Sequence, residues 1–227
     1  MSSARFPAKA IAFDLDGTLI DTAPDLARAV NRMLADVGQP EFPIARIATW
    51  IGDGVARLIK RALTDSPDGE PDPALYERAH ARFHAHYLAG VCEHSAPYPD
   101  VVEALRHFRA RSCKLACVTN KLAAFTGPLL AELELDHYFD LVLSGDSLPR
   151  RKPDPLPLVH MCERLEVTPA QTLLVGDSLN DLKAARAAGM RVILVRYGYN
   201  QGVDLSAHGP DAMIDSFREL IQMIDTN

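Results

Sequence analysis

Ile11-Ala-Phe-Asp-Leu-Asp-Gly-Thr18 is an apolar run that ends in two carboxylates one residue apart, then a glycine and a hydroxyl. With nothing polar among Ile11, Ala12 and Phe13, the run predicts the end of a strand buried on both faces. In an open α/β sheet, ligands bind just beyond the carboxyl ends of such strands. Asp14 is therefore expected at that edge, facing the crevice. Asp16 is expected on the following turn, where Gly17 lets the backbone approach a ligand. An ionised Asp can attack phosphorus, and two neighbouring acids offer oxygen ligands to Mg2+. Neighbouring carboxylates also raise each other's proton affinity, so one can serve as a general acid. The same residues occur in ordinary turns and in calcium loops. An EF-hand fails on position, because its glycine would fall at Leu19 and its closing Glu at Asp25.

The 227-residue chain is long enough for one large domain or for a domain carrying a smaller insertion. Its apolar share of 48% and charged share of 24% are those of a soluble globular protein. The four cysteines, Cys92, Cys113, Cys117 and Cys162, form no CxxC, which argues against a zinc ribbon or a thioredoxin-like pair. Buried reduced thiols and a cytoplasmic location are the expectation. The apolar run after Arg5 and Lys9 stops at Asp14, too early for a signal-peptide core, and no stretch elsewhere reads as a membrane span. A net charge of −6 argues against nucleic acid as a partner. It also means that an anionic substrate needs local cations or a metal to hold it.

Along the chain, Thr22 reads as an N-cap for a helix carrying Leu26, Val30, Met33 and Val37 on one face, with Gly38 as its stop. Pro40 and Pro43 break the chain. A second helix is expected from about Asp53, with Val55, Leu58, Ile59 and Ala62 on one face and Arg57, Lys60, Arg61 and Thr64 on the other. Residues 66–73 read as a loop, and a third helix is expected over about 74–89. The stretch from about 20 to 92 thus reads as helix throughout. Beyond Pro97 and Pro99 the texture changes. Strands are expected at 114–118, 141–143, 172–175, 192–195 and 211–214, alternating with helices at about 101–111, 123–133, 155–165, 182–188 and 217–224. That alternation implies an α/β fold, a Rossmann-like parallel sheet flanked by helices, with a helical cap inserted after the first strand. The expected division is 1–19 and 93–227 for the catalytic core and 20–92 for the cap.

Polar chemistry then appears at one strand end after another: Asp14 and Asp16, Thr119 and Asn120, Gly176 and Asp177. In a parallel sheet those ends share an edge. A fourth piece, Arg150-Arg-Lys-Pro-Asp-Pro155, follows the third strand. Pro153 restricts Lys152 to extended geometry, which suits an ammonium aimed into a crevice. Singly, Thr119-Asn120 and Asp177 could be helix caps and Lys152-Pro153 an exposed loop.

Together, Asp14-Leu-Asp-Gly-Thr18, Thr119-Asn120, Lys152-Pro153 and Gly176-Asp-Ser-Leu-Asn-Asp181 resemble the four motifs of the haloacid dehalogenase superfamily, in the right order, over about residues 8–217. The resemblance implies that Asp14 becomes an aspartyl-phosphate and that Asp16 protonates the leaving alcohol and then activates water. It implies that Thr119 and nearby backbone hold phosphoryl oxygens, while Lys152 offsets the charge of Asp14 and the phosphoryl group. It implies Mg2+ as cofactor, bound by Asp14, Asp177 and the Asp16 carbonyl, with Asp181 supporting the metal from further out. The second Asp of the first motif is present, which argues against dehalogenation. Those features favour phosphoryl transfer, where in-line positioning and neutralised oxygens matter most.

Substrate choice is expected to lie in the cap. Trp50-Ile-Gly-Asp-Gly-Val55 is a glycine-bracketed turn entering the second helix, whose amides suit an anion. It is similar to the specificity region of the bacterial phosphoglycolate phosphatases within that superfamily. The resemblance implies 2-phosphoglycolate as substrate, with Gly52 and Arg57 recognising its carboxylate. Alternatives are N-acetylmuramic acid 6-phosphate, pyrophosphate or another small phosphoester, and β-phosphoglucomutase-like transfer. His80 and His84 have the i, i+4 spacing of a metal pair but no third ligand is evident, so they read as cap surface. Cys113 and Cys117 read as packing residues. Monomer and homodimer both remain open.

Overall fold

The computed structural model describes residues 5–226; residues 1–4 and 227, at the ends of the expected core, lie outside the described residues. In chain order the elements are β1 (Phe6–Pro7), β2 (Ala10–Phe13), β3 (Ile20–Asp21), α1 (Ala23–Asp36), α2 (Ile44–Ala48), α3 (Val55–Thr64) and α4 (Pro73–Leu88). There follow β4 (Ala96–Pro97), α5 (Val101–Arg109), β5 (Lys114–Val118), α6 (Ala123–Glu132), β6 (Leu141–Leu143) and α7 (Leu156–Arg164). The chain continues with β7 (Thr172–Gly176), α8 (Leu179–Ala188), β8 (Arg191–Val195), β9 (Ala212–Ile214), α9 (Phe217–Met223) and β10 (Ile224–Asp225).

Six strands form one parallel sheet in the order β6-β5-β2-β7-β8-β9. The first long strand is thus central, with Phe13 level with Cys117 on one side and Val175 on the other. That register brings Asp14, Thr119 and Asp177 to one edge. Alternate strand residues go to opposite layers. Ile11, Phe13, Leu115, Cys117, Leu173 and Val175 join a core that reaches α5, α9 and the helices after β3. Ala12, Ala116, Val118, Leu174 and Leu194 face the core under α7 and α8. Both layers exclude water, which is why these strands read as apolar runs without alternation.

Four expectations need correction. The segment 20–92 is not wholly helical, because Ile20–Asp21 pairs antiparallel with Ala96–Pro97. A two-residue ladder shows too little periodicity to register in a sequence. Pro43 does not merely break the chain; it is the N-cap of α2, a five-residue helix with only Ile47 buried. Helix α8 starts at Leu179 rather than Leu182, because Ser178 forms a capping box with Asp181. The N-terminus of α1 also departs from expectation. Thr22 occupies the N-cap position, but its buried hydroxyl has no partner. The Tyr199 hydroxyl instead accepts the amides of Thr22 and Ala23, each at 2.8 Å, and donates to Asp21. Gly38, at φ 73°, follows the end of α1 as expected of a left-handed stop.

Helices α1 to α4 lie between β3 and β4 and are seated over the strand ends. On one side, Phe83, His84 and Tyr87 of α4 pack against Phe125 of α6, with ring centroids at 6.3, 4.9 and 4.8 Å. His80 lies beside His84, with ring centroids 4.4 Å apart and the rings tilted by 39°. The four cysteines are free thiols. No described helix is long and apolar enough to cross a membrane.

Candidate active site

The edge of the sheet carries a buried charge network. Asp14 follows β2 directly; its amide continues the ladder to the Val175 carbonyl at 2.9 Å, and its Oδ1 accepts the Leu15 amide at 2.7 Å. Lys152, on the loop before α7, places its Nζ 3.0 Å from Asp14 and 2.7 Å from Asp181. The Lys152–Pro153 peptide is cis. Asp181 is completely buried, and its other oxygen accepts the amides of Asp177 and Ser178 and the Ser178 hydroxyl. Asp177 accepts the Thr18 hydroxyl at 3.1 Å and the Tyr199 amide at 2.6 Å. Space around it is tight. A Cβ on Gly17, which sits at φ 82°, would fall 2.3 Å from Asp177 Oδ2, and one on Gly198 would lie 2.2 Å from Asp177 Cβ.

Carboxylate oxygens of Asp14, Asp177 and Asp181 lie within 4.8 Å of one another. One ammonium is too little charge for three buried acids. Burial, opposed by Lys152 and reinforced by Asp181, leaves the Asp14 carboxyl raised to about 6. Burial, then the Asp14 and Asp181 charges, raise Asp177 well above the usual carboxylate range. Hard oxygen donors with an excess of negative charge fit a divalent cation such as Mg2+. Asp181 already gives both oxygens to Lys152 and to the turn into α8, which leaves Asp14 and Asp177 as the carboxylates facing such an ion.

Asp16 lies on the other side of Asp14. Its carboxylate is held by Lys121, with Nζ at 2.9 and 3.3 Å from the two oxygens. The same Nζ donates to the Tyr87 hydroxyl at 2.6 Å. Burial opposes the Lys121 charge, but Asp16 and Tyr87 outweigh it and push its pKa up. Lys121 and Tyr87 were not among the expected site residues. A lysine after Thr119-Asn120 looks like surface, and Tyr87 lies 34 positions away on a cap helix.

Asp14, Asp16, Thr119, Asn120, Lys121 and Tyr87 line a pocket whose remaining wall is Leu26, Ile51, Gly52, Gly54, Val55 and Leu58. Five expected site residues, Asp14, Asp16, Thr119, Asn120 and Gly52, thus meet there, and Lys152, outside that lining, reaches Asp14. Thr119 Oγ1 accepts the Lys121 amide at 3.2 Å. Asn120 plays a joining part: its Nδ2 donates to the carbonyls of Gly52 and Lys152, at 3.1 and 2.9 Å. Gly52 accepts again from Asn180, which also reaches Asp53 at 2.7 Å. Gln201 donates to Ile51 and Asp53, and Arg151 to the Asp53 carbonyl. Burial would raise the Asp53 carboxyl, but the bonds from Asn180 and Gln201 and the Arg61 ion pair bring it below the usual range. The turn between α2 and α3 is therefore fastened by six hydrogen bonds from four residues, Asn120, Asn180, Gln201 and Arg151.

Arg57 is not brought to this pocket. Its guanidinium pairs with Asp68 and Glu70, at 3.0 and 3.3 Å, on the outer side of α3. The loop 66–73 folds back to meet the basic helix face, a contact that helical spacing alone does not reveal.

The family model for haloacid dehalogenase-like hydrolases matches residues 8–189. The chain belongs to that family. It is 51% identical to a phosphoglycolate phosphatase of Thiobacillus denitrificans, over 99% of both chains. It is 52% identical to one of Nitrosospira multiformis, over 96% of both. A crystal structure of a predicted phosphoglycolate phosphatase from Haemophilus somnus superposes with a TM-score of 0.90 at 37% identity, covering 95% of this chain and 97% of that one.

Proposed function

We propose that this protein is a Mg2+-dependent phosphomonoesterase that hydrolyses 2-phosphoglycolate to glycolate and phosphate. The observation that carries the chemistry is the Asp14 carboxylate at the end of the central strand, gripped by Lys152 and facing a pocket that also holds Asp16. The names of the relatives, at about half identity over nearly the whole chain, support the substrate. So does the pocket wall: Leu26, Ile51, Val55 and Leu58 offer no polar side chain to a sugar, but suit the lone methylene of phosphoglycolate.

In this reading Asp14 attacks phosphorus, the bond to the glycolate oxygen breaks, and Asp16 delivers the proton to that oxygen. Water then attacks the aspartyl-phosphate, with Asp16 taking its proton, and Asp14 is regenerated. Thr119 and the backbone beside it hold phosphoryl oxygens. Lys152 stays on Asp14 and offsets the repulsion between carboxylate and phosphate. Asp14, Asp177 and the Asp16 carbonyl would hold Mg2+, which when bound supplies charge to neutralise phosphoryl oxygens. Residues 20–92 act as the cap, and the Gly52–Gly54 turn closes the pocket by its bonds to Asn120, Asn180 and Gln201.

The test is a rapid quench of enzyme with 2-phosphoglycolate, followed by borohydride reduction, which converts an acyl phosphate to an alcohol. Mass spectrometry of the peptide spanning Asp14 is expected to find homoserine at that position. Unmodified Asp14, with the label on another residue, would overturn the assignment.

A further inference from the structure

The carboxylate of the substrate still needs a partner, and the expected one, Arg57, is occupied outside the pocket. Other nearby cations are engaged too. Arg61 is bound to Asp53 and to the carbonyls of Trp50 and Pro67, and Arg151 to the Asp53 carbonyl. Lys152 spans Asp14 and Asp181. Lys121 is the one cationic side chain among the residues that line the pocket. An ammonium has three hydrogens to donate. Two go to Asp16, at 2.9 and 3.3 Å, and one to Tyr87; the 3.3 Å contact is the weakest of the three and the one a substrate oxygen can displace.

We propose that Lys121, positioned by the Tyr87 hydroxyl, is the residue that recognises the second anionic group of the substrate, its carboxylate. This rests on the phosphoglycolate reading above. The geometry follows from the substrate's size, since one oxygen and one methylene separate phosphorus from the carboxylate. A phosphoryl group on Asp14 therefore sets the carboxylate within a few atoms of Asp16, where Lys121 Nζ stands. The ammonium is held by two residues. Asp16 binds it, the Tyr87 hydroxyl binds it, and the Tyr87 ring centroid lies 4.7 Å away. A cation already held by fixed neighbours loses little freedom on binding an anion. Tyr87 comes from α4 and Lys121 from the turn before α6, so the recognition site exists only while the cap helix sits against the core. The same site explains why a turn fastened by its own backbone, rather than a basic helix face, suffices on the other wall.

The experiment compares kcat/KM for 2-phosphoglycolate with kcat/KM for ethyl phosphate, which keeps the phosphoryl group and chain length but lacks the carboxylate charge. Wild type, Lys121→Met and Lys121→Arg are measured alongside Tyr87→Phe. Loss of a charge-assisted hydrogen bond predicts that Lys121→Met lowers the ratio of the two values roughly 10- to 100-fold, whatever it does to turnover through Asp16. Lys121→Arg is expected to recover a large part of the ratio, and Tyr87→Phe to lower it severalfold by raising KM for 2-phosphoglycolate alone. Tyr87→Phe carries the test should Lys121→Met fail to fold. An unchanged ratio in these variants overturns the assignment of Lys121 while leaving the phosphatase reading intact. A wild type that turns over ethyl phosphate as well as 2-phosphoglycolate overturns both.

Discussion

Replacing Asp14 with asparagine is expected to abolish turnover and yet to stabilise the metal-free fold. The magnitude follows from the buried charge. A carboxyl that titrates at about 6 in the fold, against an ordinary 3.8, makes ionisation cost the folded state about 3 kcal/mol at pH 8. The sign runs one way. Below the unfolded value both states are protonated and nothing is lost; stability then falls as pH rises from about 3.8 and levels off above about 6. Asparagine mimics the neutral acid in shape, still accepts the Leu15 amide, and leaves Lys152 paired with Asp181 at 2.7 Å. Asp14→Asn should therefore unfold at higher urea than wild type in EDTA, by about 2–3 kcal/mol at pH 8 and about half that at pH 5. Added Mg2+ should narrow the gap by stabilising wild type. Equilibrium urea denaturation followed by circular dichroism measures each term. A variant no more stable than wild type at pH 8, or an advantage indifferent to pH, would refute the account of an overcharged carboxylate cluster.

Other parts of the structure give sharper single tests. Tyr199→Phe removes the acceptor of two amides at the start of α1 and should cost about 1–3 kcal/mol by urea denaturation, whereas Thr22→Val, at an unpartnered hydroxyl, should cost much less. Asp53→Ala removes one of the two bonds that Asn180 and Gln201 each make to the turn over the pocket, together with the Arg61 ion pair; KM for 2-phosphoglycolate should rise severalfold with a smaller change in kcat, and an unaltered KM would contradict the closing role of that turn. Gly17→Ala forces a methyl into Asp177 at a left-handed φ and should lose nearly all activity together with about 2 kcal/mol or more of stability, read by steady-state assay and thermal melt.

What was legible in the sequence follows from what the sheet demands. Strands buried on both faces must be apolar, so 10–13, 114–118 and 172–176 stand out, and the polar residues that end them must lie on one edge. Asp14, Thr119 and Asp177 were therefore within reach of pattern and connectivity alone. The short pairing of Ile20–Asp21 with Ala96–Pro97 was not, because two residues carry no period. Contacts between distant side chains were also hidden. Arg57 looked free for an anion, since nothing local reveals that Asp68 and Glu70 fold onto it. Nothing local singles out Lys121, whose burial the distant phenol of Tyr87 and carboxylate of Asp16 make tolerable. The cap of α1 comes from Tyr199, far along the chain, where an adjacent threonine seemed sufficient.

The central claim is that Asp14 chemistry acts on a small phosphoester bearing a carboxylate. Phosphate release with Mg2+ from 2-phosphoglycolate, N-acetylmuramic acid 6-phosphate, pyrophosphate and β-glucose 1-phosphate, with Asp14→Asn as control, tests it most directly. The highest kcat/KM is expected for 2-phosphoglycolate, with none above background for the variant. A higher value for either sugar phosphate or for pyrophosphate, or full activity without Asp14, would contradict it.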